Sequence, residues 1–145
     1  MPEVVTSIEI DATAFEVAQV LHDFSAYDAW NPLIHHLRGE PRIGGRIRFR
    51  LRLGALALPI DAILIRHDET GLAWQGPASR GLRALAAGEH YFELAPRGGG
   101  RVRLVHGERF TGPISRLLWP HLAKELHSAY GEMNLALKRR VEGMR

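Results

Sequence analysis

Alternating apolar and polar residues predict an antiparallel sheet over much of the chain. In Arg46–Leu53 every second residue is apolar and the residues between are arginines, so the strand has one apolar and one charged face. Arg97 to Gly100 reads as a hairpin turn, because glycine readily adopts the positive φ angles of such turns. Runs rich in β-branched and aromatic residues predict the remaining strands, which are Val4–Ile10, Pro59–His67, Leu72–Gln75, Gly88–Ala95 and Arg101–Thr111.

Helical spacing appears near the start of the chain. Thr13–Leu21 is predicted to be a helix with Asp11 as its N-cap. Asp23–Trp30 is predicted to be a second short helix that ends before Pro32, since the residue preceding a proline disfavours helical geometry. The side chains expected to face inward from the first helix are Phe15, Ala18 and Leu21.

A long amphipathic helix is predicted at the end of the chain. It should begin near Ile114 or Pro120 and end near Val141. A sheet with one apolar face must be covered, and this is the only long apolar helix available, so the sheet has to curl around it. The expected fold class is therefore α+β, with one domain over residues 1–145. The apolar stripe of the helix consists of Leu118, Leu122, Leu126, Ala129, Met133, Leu137 and Val141.

This order of elements resembles the START-like (SRPBCC) superfamily, and within it the bacterial polyketide cyclase/dehydratase branch. The resemblance rests on the Trp30-Asn31-Pro32 step, on the strand from Gly88 to Leu94, and on the strand from His106 to Gly112 that leads into the long helix. It implies the helix-grip fold, in which a curved antiparallel sheet and the C-terminal helix enclose a cavity. It also implies that Trp30 lies at the cavity entrance.

Composition narrows the function classes. The chain has no cysteine, which excludes disulfides and thiolate chemistry. A net charge of +3 is a small excess for a nucleic-acid-binding protein, so no nucleic-acid partner is expected. The sequence has neither a signal-peptide pattern nor an apolar run long enough to span a membrane, so a cytoplasmic protein is expected.

The alternating arginines form the sharpest charge feature. The four guanidinium groups of Arg46, Arg48, Arg50 and Arg52 would lie on one strand face, which suits phosphate or an acidic partner. The favoured interpretation is a solvated outer face with acidic neighbours such as Asp61.

The eight histidines do not have metal-site spacing. His35 and His36 are adjacent and should point to opposite sides of an extended segment, and His121 and His127 fall on different helix faces. No metal and no cofactor is expected.

The last hairpin carries the candidate polar site. Counting outward from the glycine turn pairs Leu94 with Leu104, Phe92 with His106, and His90 with Glu108, all on the inward face. Three roles are open for His90 and Glu108. They could orient a ligand, satisfy each other and fix the strand register, or act as an acid–base pair.

The leading hypothesis is a protein that binds a small hydrophobic molecule such as a lipid, polyketide or aromatic metabolite. A cyclase/dehydratase-type enzyme and a protein-partner module are the alternatives, and the ligand and a homodimeric state are left open. Phe49 and Leu51 are further wall candidates. The predicted ligand-binding residues are Trp30, Trp74, His90, Phe92, Leu104, His106, Glu108, Phe110, Leu122, Leu126 and Met133.

Overall fold

The computed structural model describes residues 2–144 and confirms the α+β helix-grip fold. Seven antiparallel strands form one sheet in the order β1-β7-β6-β5-β4-β3-β2. The strands are β1 Glu3–Ile10, β2 Ile34–Gly39, β3 Arg46–Leu53, β4 Leu56–Asp68, β5 Gly71–Gly76, β6 Ala87–Arg97 and β7 Arg101–Thr111. The helices are α1 Ala14–His22, a 3-10 helix Phe24–Ala29, α2 Arg80–Leu85 and α3 Pro113–Glu142.

The N-cap of the first helix lies two residues after the predicted one. Thr13, and not Asp11, is the N-cap: its hydroxyl accepts from the backbone N–H of Glu16, whose carboxylate accepts from the N–H of Thr13. This reciprocal pair is the capping-box pattern, which Thr13 and Glu16 show already in the sequence. The prediction that Phe15 faces inward is wrong, since this residue is 64% exposed. Ala18 and Leu21 are buried as predicted.

Two elements were not predicted. Strand β2 was not predicted because a bulge between His35 and Arg38 interrupts the alternation of apolar and polar residues. Within this bulge His36 has a positive φ of 54°. The short helix α2 lies in the glycine-containing segment between β5 and β6. Gly112, just before α3, has a φ of 95°, and a side chain there would collide with the backbone of Leu85 at the end of α2.

Strand β3 has the predicted orientation. Ile47, Phe49, Leu51 and Leu53 are buried, whereas the four arginines between them are exposed. Arg46 forms a bidentate pair with Asp61 on the neighbouring strand β4. The arginine row therefore lies on the outer face of the sheet.

Helix α3 covers the inner face of the sheet with its C-terminal two thirds. Leu126, Met133, Leu137 and Val141 are buried, as the stripe predicted. Leu118 departs from the stripe and is 45% exposed, because the first turns of α3 project beyond the part of the helix that packs in the core. Leu122 and Ala129 are partly buried against the core.

The orientation of β3 makes a stability prediction. We expect Arg48→Ser combined with Arg50→Ser to change the free energy of unfolding by less than about 1 kcal/mol, because exposed charges contribute little. Ile47→Ala on the same strand should cost about 2–5 kcal/mol, since its side chain is fully buried. Urea denaturation of the two variants measures both values. A double arginine variant as unstable as Ile47→Ala would contradict the outer position of the row.

Candidate ligand-binding site

A cavity of about 260 Å³ lies between the inner face of the sheet and the start of α3. Its wall is mainly apolar and includes glycine, alanine and proline from the segment that joins β5 to β6. The polar residues in the wall are Asp61, His90, Glu108 and Ser115. The Asp61 side chain pairs with Arg46 on the outer face of the sheet. The remaining lining residues are Phe49, Leu51, Pro59, Ile60, Trp74, Gly76, Pro77, Ala86, Ala87, Gly88 and Phe110.

The register of the β6–β7 hairpin brings the polar groups together. His90 lies opposite Glu108, Phe92 opposite His106, and Leu94 opposite Leu104, which confirms the pairing that counting from the glycine turn predicted. Because side chains alternate between the two faces of a strand, these residues share the inner face.

Glu108 is the more exposed partner of the His90–Glu108 pair. One of its oxygens, Oε1, accepts a hydrogen bond from the Tyr130 hydroxyl and lies 3.4 Å from His90 Nδ1. The His90 side chain is buried, whereas that of Glu108 is 15% exposed. Burial raises the pKa of the Tyr130 hydroxyl well above its usual range, and the adjacent Glu108 carboxylate raises it further. Tyr130 therefore stays protonated and donates.

Behind this pair, a chain of hydrogen bonds runs into the core. The Nε2 atoms of His90 and His106 are 2.7 Å apart, and His106 Nδ1 lies 2.7 Å from Asn134 Oδ1. Asn134 Nδ2 donates to the Thr6 hydroxyl at 2.8 Å, and that hydroxyl donates to the backbone carbonyl of His106 at 2.7 Å. The chain thus joins α3 to β1, β6 and β7. It supplies the partners that buried polar groups require.

The histidines in this chain are also packed between aromatic rings. The His106 ring stacks on Tyr130 at a centroid distance of 4.5 Å and on Phe92 at 4.3 Å. The His90 ring lies 4.9 Å from the ring of Trp74. These contacts restrict the rotation of both imidazoles, which suits a site with fixed geometry.

Four of the eleven predicted binding residues line the cavity and seven do not. Trp74, His90, Glu108 and Phe110 line it, together with the wall candidates Phe49 and Leu51. Trp30 is not among its lining residues and packs edge-on against Tyr27 at the end of the 3-10 helix. The other predicted binding residues lie in or against the core beside the cavity and do not line it, namely Phe92, Leu104, His106, Leu122, Leu126 and Met133.

Sequence reasoning did not assign Thr6 and Asn134 to the site. The sequence nevertheless indicates both, because each is a polar residue at a position where the strand or helix periodicity places side chains toward the core. Thr6 falls between Val4 and Ile8 on β1, and Asn134 lies one turn after Tyr130 on α3. Within residues 2–144, no group of three or more His, Asp or Glu side chains is arranged to hold a metal ion.

The buried imidazole predicts a pH dependence of stability. Burial lowers the pKa of His106 well below 6.5 and nearby His90 lowers it further, while the Asn134 side chain and the Tyr130 backbone oppose the shift. In the unfolded chain the His106 imidazole takes up a proton near pH 6.5, whereas in the folded protein it stays neutral at that pH. The free energy of unfolding should therefore fall as pH drops below about 6.5, by up to about 1.4 kcal/mol per pH unit for this group.

Denaturation between pH 7.5 and 5.5 tests this prediction. His106→Gln should have a lower free energy of unfolding than the unmodified protein at pH 7.5. That free energy should then fall less steeply towards pH 5.5 than it does in the unmodified protein. The control His127→Gln, at an exposed position on α3, should keep the slope of the unmodified protein. An unchanged slope in His106→Gln would contradict the assignment.

Comparison with known proteins agrees with the fold. A family model described as polyketide cyclase / dehydrase and lipid transport matches residues 1–142. A START superfamily protein from Mycobacterium smegmatis has 19% identity and a TM-score of 0.78, with 99% of each chain covered. The Zhui aromatase/cyclase from Streptomyces has 14% identity and a TM-score of 0.77, with 97% of this chain and 93% of that chain covered.

A third solved structure, that of a synthase, has the same fold. Norcoclaurine synthase from Thalictrum flavum, solved in complex with dopamine and hydroxybenzaldehyde, has 14% identity and a TM-score of 0.72 over 99% of this chain and 87% of that chain. No functionally curated protein matches the sequence. No helix in residues 2–144 combines the length and apolar character needed to cross a membrane. The family match over almost the whole chain shows that this protein belongs to the polyketide cyclase/dehydrase and lipid transport family.

Proposed function

We propose that this protein binds a small, mostly apolar ligand in the cavity and that His90 and Glu108 orient it. The observation that carries the proposal is the composition of the wall, where a few polar groups lie among aromatic, aliphatic and small residues. Small-molecule sites commonly have this design, since apolar surface supplies affinity and a few polar groups set orientation.

The cavity volume limits the size of the ligand. A dry protein cavity of about 150 Å³ is large enough for benzene. A cavity of about 260 Å³ is therefore compatible with a compound of one or two fused rings, or with part of a longer molecule. The rest of a longer ligand would project past Ser115 at the start of α3.

The elements around the cavity favour entry of an apolar compound. Large aliphatic side chains on α2 and on the first turns of α3 are exposed, and both elements adjoin lining residues of the cavity. An exposed apolar surface is also a sign of a protein-partner module. The open cavity with its polar pair favours a small ligand over a partner that needs no cavity. These exposed side chains are Leu82, Leu85, Ile114, Leu117 and Leu118.

The comparisons support this class of ligand. Norcoclaurine synthase is seen with two small aromatic molecules, and the Zhui protein is named as an aromatase/cyclase. At 14% identity these likenesses concern the fold, so the proposal for this chain depends on its own wall residues.

An acid–base enzyme of the cyclase or dehydratase kind is the second candidate. The placement of His90 Nδ1 beside Glu108 Oε1 in the cavity wall favours it, because the pair can give up or take up a proton next to a bound molecule. Glu108→Gln separates the two roles. Turnover would collapse with binding intact if the pair is catalytic, whereas only affinity would fall if the pair orients the ligand.

Native mass spectrometry of the protein purified from cells is the direct test of ligand binding. We expect a bound apolar compound of low mass on the unmodified protein. Ser115→Phe should remove it, because the ring would occupy the cavity beside the start of α3. Serine and phenylalanine have similar helix propensities, so the helix should persist.

Ser128→Phe is the matched control. It makes the same change on the same helix at an exposed residue outside the cavity. Retention of the compound by Ser115→Phe, or equal loss from both variants, would contradict binding in this cavity.

A further inference from the structure

The two oxygens of Glu108 have different surroundings. Oε1 is engaged by the Tyr130 hydroxyl and by His90 Nδ1. Oε2 has no hydrogen-bond partner among residues 2–144. It lies on the cavity side of Gly88, because a β-carbon added to Gly88 would overlap Oε2. The missing side chain at Gly88 therefore leaves the space that this oxygen occupies.

The direction of the hydrogen bonds behind Glu108 follows from the Thr6 end of the chain. The backbone carbonyl of His106 can only accept, so the single hydroxyl proton of Thr6 is used there. The Thr6 oxygen must then accept from Asn134, which turns Nδ2 toward Thr6 and Oδ1 toward His106. Since Oδ1 is an acceptor, His106 Nδ1 carries a proton.

The same reasoning extends to the cavity wall. A neutral His106 with its proton on Nδ1 has a bare Nε2, which accepts the proton of His90 Nε2. His90 Nδ1 is then left facing Glu108 Oε1. Two bare acceptors in that position would repel each other, so one proton is shared between them.

This shared proton decides what Oε2 can do. It lies between Nδ1 and Oε1 whether the pair is an imidazolium with a carboxylate or an imidazole with a carboxylic acid. In both arrangements Oε2 keeps its lone pairs and acts as an acceptor toward the cavity. A ligand group that meets Oε2 must therefore be a donor.

We propose that Glu108 Oε2 selects ligands that carry a hydroxyl group on an otherwise apolar ring system, and that Thr6, Asn134 and His106 are positioning residues that hold the His90–Glu108 pair in this state. This inference rests on the proposed binding function and adds the chemical group that the cavity recognises. Gly88 is the specificity-determining position, because it provides room for the acceptor oxygen.

A matched pair of probes tests the selection on the unmodified protein. 2-Naphthol donates a hydrogen bond and 2-methoxynaphthalene does not, although both have the same fused rings. Isothermal titration calorimetry should show 2-naphthol binding about tenfold more tightly, the ratio expected for one additional hydrogen bond. Equal affinities would overturn the inference and leave apolar binding in place. Binding of neither probe would contradict the proposed binding function itself.

Gly88→Ala tests the role of the free oxygen. The added methyl group should displace the flexible end of Glu108, so the preference for 2-naphthol should fall below about threefold while 2-methoxynaphthalene still binds. Gly131→Ala is the control, because an added β-carbon there meets no atom within 4 Å and Gly131 is exposed on α3. A Gly88→Ala protein with an unchanged preference would overturn the assignment of Oε2.

Nitrogen-15 NMR of labelled histidines tests the positioning residues. His90 should carry its proton on Nε2 in the unmodified protein, and a His90 protonated on Nδ1 alone would overturn the inference. Asn134→Leu removes the acceptor that fixes His106. We expect the His90 proton to be distributed between Nδ1 and Nε2 in this variant. The preference for 2-naphthol over 2-methoxynaphthalene should fall, while 2-methoxynaphthalene still binds. A folded Asn134→Leu protein with the original tautomer and preference would show a merely structural role. If this variant does not fold, the spectrum of the unmodified protein and the Gly88→Ala titration decide the matter.

Discussion

The register between β6 and β7 controls the position of every polar group in the candidate site. Because side chains alternate between faces, a slip of one residue between these strands would turn either His90 or Glu108 away from the inner face and separate the pair. The turn that joins the strands restricts such a slip, since Gly99 and Gly100 both have positive φ angles that other residues adopt with difficulty. Strand β7 also pairs with β1, where Thr6 lies opposite His106. The hairpin thereby sets the far end of the hydrogen-bond chain as well.

The two ends of that chain are held differently. In the core, Thr6, Asn134 and His106 satisfy one another, and an incomplete set would be costly because water does not compensate buried polar groups. At the cavity, Glu108 Oε1 is engaged, whereas Oε2 has no hydrogen-bond partner in the part of the chain that the structure describes. A hydrogen-bonded inner end gives a rigid base for one acceptor oxygen at the cavity wall. This arrangement favours recognition over a purely structural role, which would leave both oxygens engaged.

The sequence predicts the fold well because its main signals are local. Alternation in Arg46–Leu53 and the stripe on α3 each follow from one period, and the pairing of His90 with Glu108 follows from counting around a glycine turn. Strand β2 was missed where a bulge breaks that period. Thr6 and Asn134 are 128 residues apart in sequence, and no local pattern indicates that they meet. Phe92 and Leu104 face inward as predicted but do not line the cavity, because facing the core does not specify where the core leaves space.

That space is determined mainly by small residues rather than by the aromatic ones. Gly76 and Pro77 at the end of β5, and Ala86, Ala87 and Gly88 at the start of β6, all line the cavity. Protein interiors normally approach the packing density of organic crystals, and larger side chains here could contribute more buried surface. Helix α2 lies between these two stretches. Its leucines are exposed to solvent and do not fill the cavity. A cavity thus remains beside Glu108, whose Oε2 has no partner among residues 2–144, and a ligand with an apolar body and a single donor matches both features at once.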